Sequence, residues 1–180
     1  PVKFNVSPPK MPDHLHWFYW ESYTTWLSGF ALLTVSYLWN ANIYLVNPGD
    51  PNAMSAPAAI AAALAFLVVF GLVYDFLCRT FGHMVLVLVC IAAYLACHIF
   101  PGQAAFLLMG AMIATSMSAN VFFWIIPGQR KVVAALKAGQ PVDPLHGQRA
   151  KQRSVHNTYF TLPVLFAMLS NNYGWLYSHK

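Results

Sequence analysis

Asn120-Val-Phe-Phe-Trp-Ile-Ile-Pro127 closes an apolar run that begins near Gly110, and His156-Asn-Thr-Tyr-Phe160 opens the next one. Between them lie six of the chain's ten basic residues: Arg130, Lys131, Lys137, Arg149, Lys151 and Arg153. The segments on either side carry almost no charge. Positive charge gathered in one short connection between apolar helices is how a membrane protein marks its cytoplasmic side. This stretch predicts membrane-crossing helices, with a basic loop at 127–154 inside.

Composition points the same way. The 180 residues are 58% hydrophobic, 16% aromatic and 8% charged, against about 25% charged in a soluble domain. A net charge of +5 would suggest nucleic acid in a soluble protein. Its concentration in one inter-helix loop is accounted for by membrane topology, and no nucleic-acid partner is expected. Cys78, Cys90 and Cys97 stand outside any Cys-x-x-Cys-His pattern, so the chain carries no c-type haem attachment signature and its thiols read as buried helix residues. The chain opens at Pro1 without a signal segment, which is expected of a processed protein or a piece of a longer one.

Taken in order, residues 1–20 form an N-terminal arm with four prolines, then the aromatic cluster His14-Leu-His16-Trp17-Phe-Tyr-Trp20, suited to the headgroup level. Apolar segments follow at about 21–46, 58–77, 84–100, 103–126 and 155–173. They predict an all-α integral membrane bundle of about five transmembrane helices over 21–173, with a tail at 174–180. Glu21, Thr24, Thr25 and Ser28 recur at helical spacing and should face protein. Asp75 and Arg79 are four apart and should pair. Gly110/Ala114/Ser118 and Ala111/Thr115/Ala119 form small-residue ladders that read as close helix packing. Arg130-Lys-Val-Val-Ala-Ala-Leu-Lys137 reads as a short amphipathic helix stopped by Gly139 and Pro141, and Pro163 should kink the last span. Alternation from an inner basic loop puts the C-terminus outside, in the periplasm if the membrane is a bacterial inner one.

That topology gathers polar residues on the inner side. His14, His16, Glu21, His83, Asn120, Arg130, Arg153, His156 and Asn157 all fall at or just below that surface. Histidines there either bond headgroups and carbonyls, or ligate a b-type haem, or serve as a general base. His16, His83 and His156 are the candidate haem ligands, and His156 and Glu21 the candidate proton carriers.

Three blocks carry a resemblance: Leu15-His-Trp-Phe-Tyr-Trp-Glu-Ser-Tyr-Thr-Thr-Trp-Leu-Ser-Gly-Phe30, Ser118-Ala-Asn-Val-Phe-Phe-Trp-Ile-Ile-Pro-Gly-Gln-Arg-Lys-Val-Val-Ala-Ala-Leu136, and Lys151-Gln-Arg-Ser-Val-His-Asn-Thr-Tyr-Phe-Thr-Leu-Pro163. From about Pro12 to Tyr173 the chain resembles the bacterial membrane-bound urate oxidase N-terminal domain. The resemblance implies a multi-helix inner-membrane domain joined to a cytochrome c, acting in purine catabolism. It would oxidise urate to 5-hydroxyisourate and pass electrons to that cytochrome, whose c-type haem lies on a partner or a further domain. A planar anion such as urate would call on the aromatic surface of Trp17 and Trp20, the cations Arg130 and Arg153, and the amides of Asn120 and Asn157. The competing expectation is a non-catalytic membrane subunit packed in a larger respiratory or photosynthetic complex.

Overall fold

The computed structural model describes residues 19–47, 49, 53–141 and 143–177, and for His83 the backbone alone. Every regular element among them is helical. α1 (Tyr19–Leu33) runs on through a π-helical turn (Thr34–Leu38), followed by a short α2 (Ala41–Tyr44). α3 (Ala56–Thr80) and α4 (Val85–Ile99) are joined by a 3-10 turn. α5 (Gly102–Asn120), a second π-helical turn (Val121–Ile125) and α6 (Ile126–Lys137) make one continuous rod, and α7 (Pro144–Ser170) returns alongside it.

Local chemistry sets the ends of these helices. Pro57 sits in the first turn of α3 and Pro144 in that of α7, where no intrahelical N–H is needed. Asp143 caps α7 by accepting from the Leu145 N–H at 2.9 Å. Gly139, with φ 64°, turns the chain out of α6 as the sequence predicts.

Pro127 does not end its helix, so most of the expected loop at 127–154 is an antiparallel helical hairpin. Proline in a helix interior lacks a donor and crowds the carbonyl four residues back. Here it falls just after the π turn, where the wider winding already departs from that bonding pattern. α7 likewise continues through Pro163.

The α5–α6 rod is the centre, with α7, α3, α4 and α1 packed around it. A Cβ on Gly110 would come within 2.8 Å of Ala167 Cβ, and Asn120 meets Arg153, so α5 and α7 run antiparallel. Trp26 meets Thr115 and Tyr23 stacks on Phe122, so α1 is antiparallel to α5 as well. The start of α1, the end of α3 and the α6–α7 hairpin therefore share one end of the bundle. Small residues make the helix contacts: Ala59, Ala63, Ala96, Ala104 and Ala105 are all buried.

Large apolar side chains face outward, among them Leu72, Leu86 and Leu162, each about 70% exposed, while Ser116, Asn120, Arg153 and Ser170 are buried. Of the five expected spans, two have the length and composition of a membrane crossing: α3 and the α5–α6 rod. α4 is apolar, but its 15 residues rise only about 22 Å against a hydrocarbon core of about 30 Å.

Glu21, Thr24, Thr25 and Ser28 are all exposed rather than packed against protein, with Thr25 at the edge of a cleft between helices. Thr24, Thr25 and Ser28 bond carbonyls of their own helix at 2.7–3.2 Å, so these hydroxyls do not require a neighbouring helix. Cys78 is buried as expected, whereas Cys90 and Cys97 are exposed on α4.

Candidate functional site: a polar network within the bundle

Helical spacing brings the network together. Tyr74, Asp75, Cys78 and Arg79 share adjoining faces of α3, and Arg153, His156 and Asn157 share one face of α7. Asn120 comes from the end of α5, and the π turn that follows carries Trp124 toward α3.

Arg153 fixes the direction of the amide bonds around it. Nearly fully buried at 3% exposure, it donates from Nη2 to Asp75 Oδ1 at 2.7 Å and from Nη1 to Asn120 Oδ1 at 3.1 Å. A guanidinium only donates, so Asn120 must present its oxygen there. Its amide nitrogen then donates to Tyr74 Oη and to Asn157 Oδ1, each at 2.8 Å. Asn157 in turn donates to the Met117 carbonyl at 3.0 Å. The Tyr74 hydroxyl also lies 3.1 Å from His156 Nδ1. Cys78 Sγ lies 3.4 Å from the same nitrogen. Tyr74 and Cys78 thus hold Nδ1, and Nε2 is an atom with no hydrogen-bond partner among the described residues. No buried side-chain nitrogen or oxygen is left unsatisfied there, so Nε2 reaches the surface of the network.

Asp75 anchors the other side. It accepts from Arg153, from Trp124 Nε1 at 2.8 Å, and from Arg79 at 2.6 Å. The pairing with Arg79 is the one the sequence predicts. Arg79 and Arg153 each lie about 5 Å from the Trp124 ring centroid, close enough for cation–π attraction. Two guanidiniums against one carboxylate leave the cluster with surplus positive charge.

Four of the candidate residues thus meet: Asn120, Arg153, His156 and Asn157. Trp20 and Glu21 are exposed at the start of α1, outside the network. Arg130 is exposed on α6, with its guanidinium 6.0 Å from the Tyr19 ring. His14, His16 and Trp17 lie outside the described residues, as does the side chain of His83, so pairing of His156 with His16 or His83 falls outside them too. Sequence reasoning missed Tyr74 and Trp124 as members and saw Asp75 only as the partner of Arg79. The available signal was the interruption of an apolar helix by Tyr74-Asp-Phe-Leu-Cys-Arg79.

A second feature is a cleft of about 640 Å³ between α1, α5 and α7. The small-residue ladders divide between two uses. Gly110 permits the close approach of α7, while Ala111, Ala114, Thr115 and Ser118 line the cleft. No histidine lines it, and His156 turns Nδ1 to Tyr74. Among the described residues no three His, Cys, Asp or Glu side chains converge.

Apolar outside and hydrogen-bonded polar inside, the chain is an all-α bundle with two helices long and apolar enough to cross a membrane. It belongs to the urate oxidase N-terminal family, whose profile matches residues 1–180. No curated protein and no solved structure matches the chain.

Proposed function

We propose that the chain is the membrane domain of a urate-oxidising dehydrogenase that passes electrons to a cytochrome c. The supporting observation is the hydrogen-bonded network from Arg153 through Asn120 and Tyr74 to His156, which holds Nδ1 and leaves Nε2 without a partner among the described residues, beside surplus positive charge. Buried ionic and amide groups in an apolar bundle are costly, and their natural use is at a functional site. Urate is a planar anion. Family membership directs the reading to this substrate.

The reaction takes urate and water to 5-hydroxyisourate, two protons and two electrons. With the Tyr74 hydroxyl donating to Nδ1, His156 presents Nε2–H as a donor to an anionic ring nitrogen or carbonyl oxygen of the purine. Arg79 and Arg153 supply the positive field that favours an anion. Glu21 is an exposed carboxylate at the same end and the candidate proton acceptor. A c-type haem on a partner or further domain would supply the electron acceptor. In this reading the bundle sits in a bacterial inner membrane, with the basic hairpin cytoplasmic and the C-terminus periplasmic.

The test is urate-dependent reduction of cytochrome c by membranes containing the full-length protein. His156→Gln should lower the rate by about 10²-fold, the scale for displacing one preorganised donor from developing negative charge. Arg153→Lys should also impair it, because an ammonium cannot bridge Asn120 and Asp75 as the planar guanidinium does. Absence of reduction by folded wild-type protein would overturn the proposal. That result would favour a non-catalytic subunit of a larger complex, a role for which the exposed apolar faces of α4 and α7 offer contact surface.

A further inference from the structure

Helix register sets basic side chains from α3, α6 and α7 at one height on the bundle. A Cβ on Gly128 would meet the His146 carbonyl at 3.4 Å and Ala150 Cβ at 3.7 Å. Arg149 and Lys151, on either side of Ala150, are therefore level with the start of α6 and its Arg130 and Lys131. Gln152 donates to the Cys78 carbonyl at 3.4 Å, which brings Arg79 at the end of α3 to the same height. Arg79, Arg130, Lys131 and Arg149 are exposed and Lys151 is half-buried. Against them among the described residues stand Asp75, shared by two guanidiniums, and Glu21. Positive charge predominates at this height.

Length relates that height to a membrane. Starting at Gly102, the rod reaches Val121 after about 30 Å of helical rise, the thickness of a hydrocarbon core. Tyr23 stacks on Phe122 and Asn157 meets Asn120, so the exposed rings of Trp20 and Tyr159 stand near this edge, where such rings gather. The cations begin about 6 Å beyond it and end about 15 Å beyond it. Headgroups occupy about 5–8 Å there, tilting of the rod carries the edge toward the cations, and the stems of Lys and Arg reach back over apolar surface. The charge rule for loops concerns only which side they face. Alignment of cations from separate helices at headgroup depth is a further condition, met by the packing.

We propose that this basic collar binds the phosphates of anionic phospholipids. Guanidiniums take phosphate oxygens through paired N–H donors, and an ammonium adds a point charge. The occupant is a lipid headgroup rather than an acidic soluble protein because the cations gather just beyond the edge marked by Trp20 and Tyr159. The far tip of the hairpin, which a soluble partner would meet first, sets the carboxylate of Asp143 against Lys137. The proposal does not depend on urate.

The test places the full-length protein in phosphatidylcholine nanodiscs doped with a pyrene-labelled lipid and reads energy transfer from tryptophan. Wild-type protein should gather labelled phosphatidylglycerol in preference to labelled phosphatidylcholine. A triple variant, Arg130→Gln with Lys131→Gln and Arg149→Gln, should lower that preference by about tenfold or more, since one cation at an anionic surface contributes about fivefold. Lys137→Gln, about 9 Å farther along the rod and so about a screening length away, should change it by less than about twofold. Thermal unfolding at the wild-type temperature shows that the triple variant is folded. If it is not, Lys131→Gln and Arg149→Gln replace it singly, each expected to lower the preference by about fivefold. Four outcomes overturn the proposal: no preference for phosphatidylglycerol by folded wild-type protein, a preference unchanged by the collar substitutions, an equal loss from Lys137→Gln, or displacement of phosphatidylglycerol by inorganic phosphate at constant ionic strength. The last would make the collar a site for a soluble anion.

Discussion

Asp75 holds two guanidiniums and an indole N–H, and one of those guanidiniums is buried. Removing the carboxylate leaves Arg153 charged and without its counter-ion, which costs far more than the pair contributes over an apolar replacement. Asp75→Asn should therefore destabilise the folded protein by about 3 kcal/mol, and Arg153→Met by a similar amount. The double variant Asp75→Asn with Arg153→Met should cost clearly less than the two single changes together. Denaturant unfolding in detergent measures all three, and simple addition of the two single costs would refute the coupling. Asn120 is the residue on which orientation depends: it accepts from Arg153 and donates to Tyr74 and Asn157, so its amide cannot turn over without opposing donor to donor.

Between helices, two glycines are used for different reasons. At Gly110 a Cβ would press on Ala167, so Gly110→Ala should force α5 and α7 apart at a cost of about 1–3 kcal/mol. At Gly139 nothing lies within 4 Å, but φ is 64°. Gly139→Ala should cost about 1 kcal/mol through the left-handed backbone alone. Thermal unfolding separates the two, because enlarging Gly110 further to Leu should be much worse while Gly139→Asn should be nearly neutral. The π turn at Val121–Ile125 belongs to this scale as well. It reconciles Pro127 with a continuous rod and places Trp124 on Asp75.

Across the whole molecule, the α5–α6 rod has 36 residues, about 54 Å at the helical rise. That exceeds a hydrocarbon core of about 30 Å, so a rod crossing the membrane must project beyond it with α6 and the first turns of α7. The exposed cations Arg130, Lys131, Lys137 and Arg149 lie on this projecting hairpin. A cysteine introduced at Ala138, in a chain stripped of its native cysteines, should react with membrane-impermeant maleimide in inside-out vesicles and not in intact spheroplasts. Labelling in the opposite preparation would reverse the proposed orientation.

How far the sequence reached follows from the range of the forces involved. Local and compositional signals determined the helical class, the Asp75–Arg79 pair, the stop at Gly139 and the grouping of Asn120, Arg153, His156 and Asn157 near one end. These depend on neighbours a turn away or on how apolar a stretch is. Family membership was legible in the same way, from three blocks of residues. Only the tertiary structure decided that Pro127 is absorbed rather than terminating, that the α1 hydroxyls bond their own helix, and that Tyr74 and Trp124 join the network. It alone divided the small-residue ladders between a helix contact and a cleft. Such outcomes depend on which helix lies opposite, and that is set by side-chain packing across residues far apart in the chain.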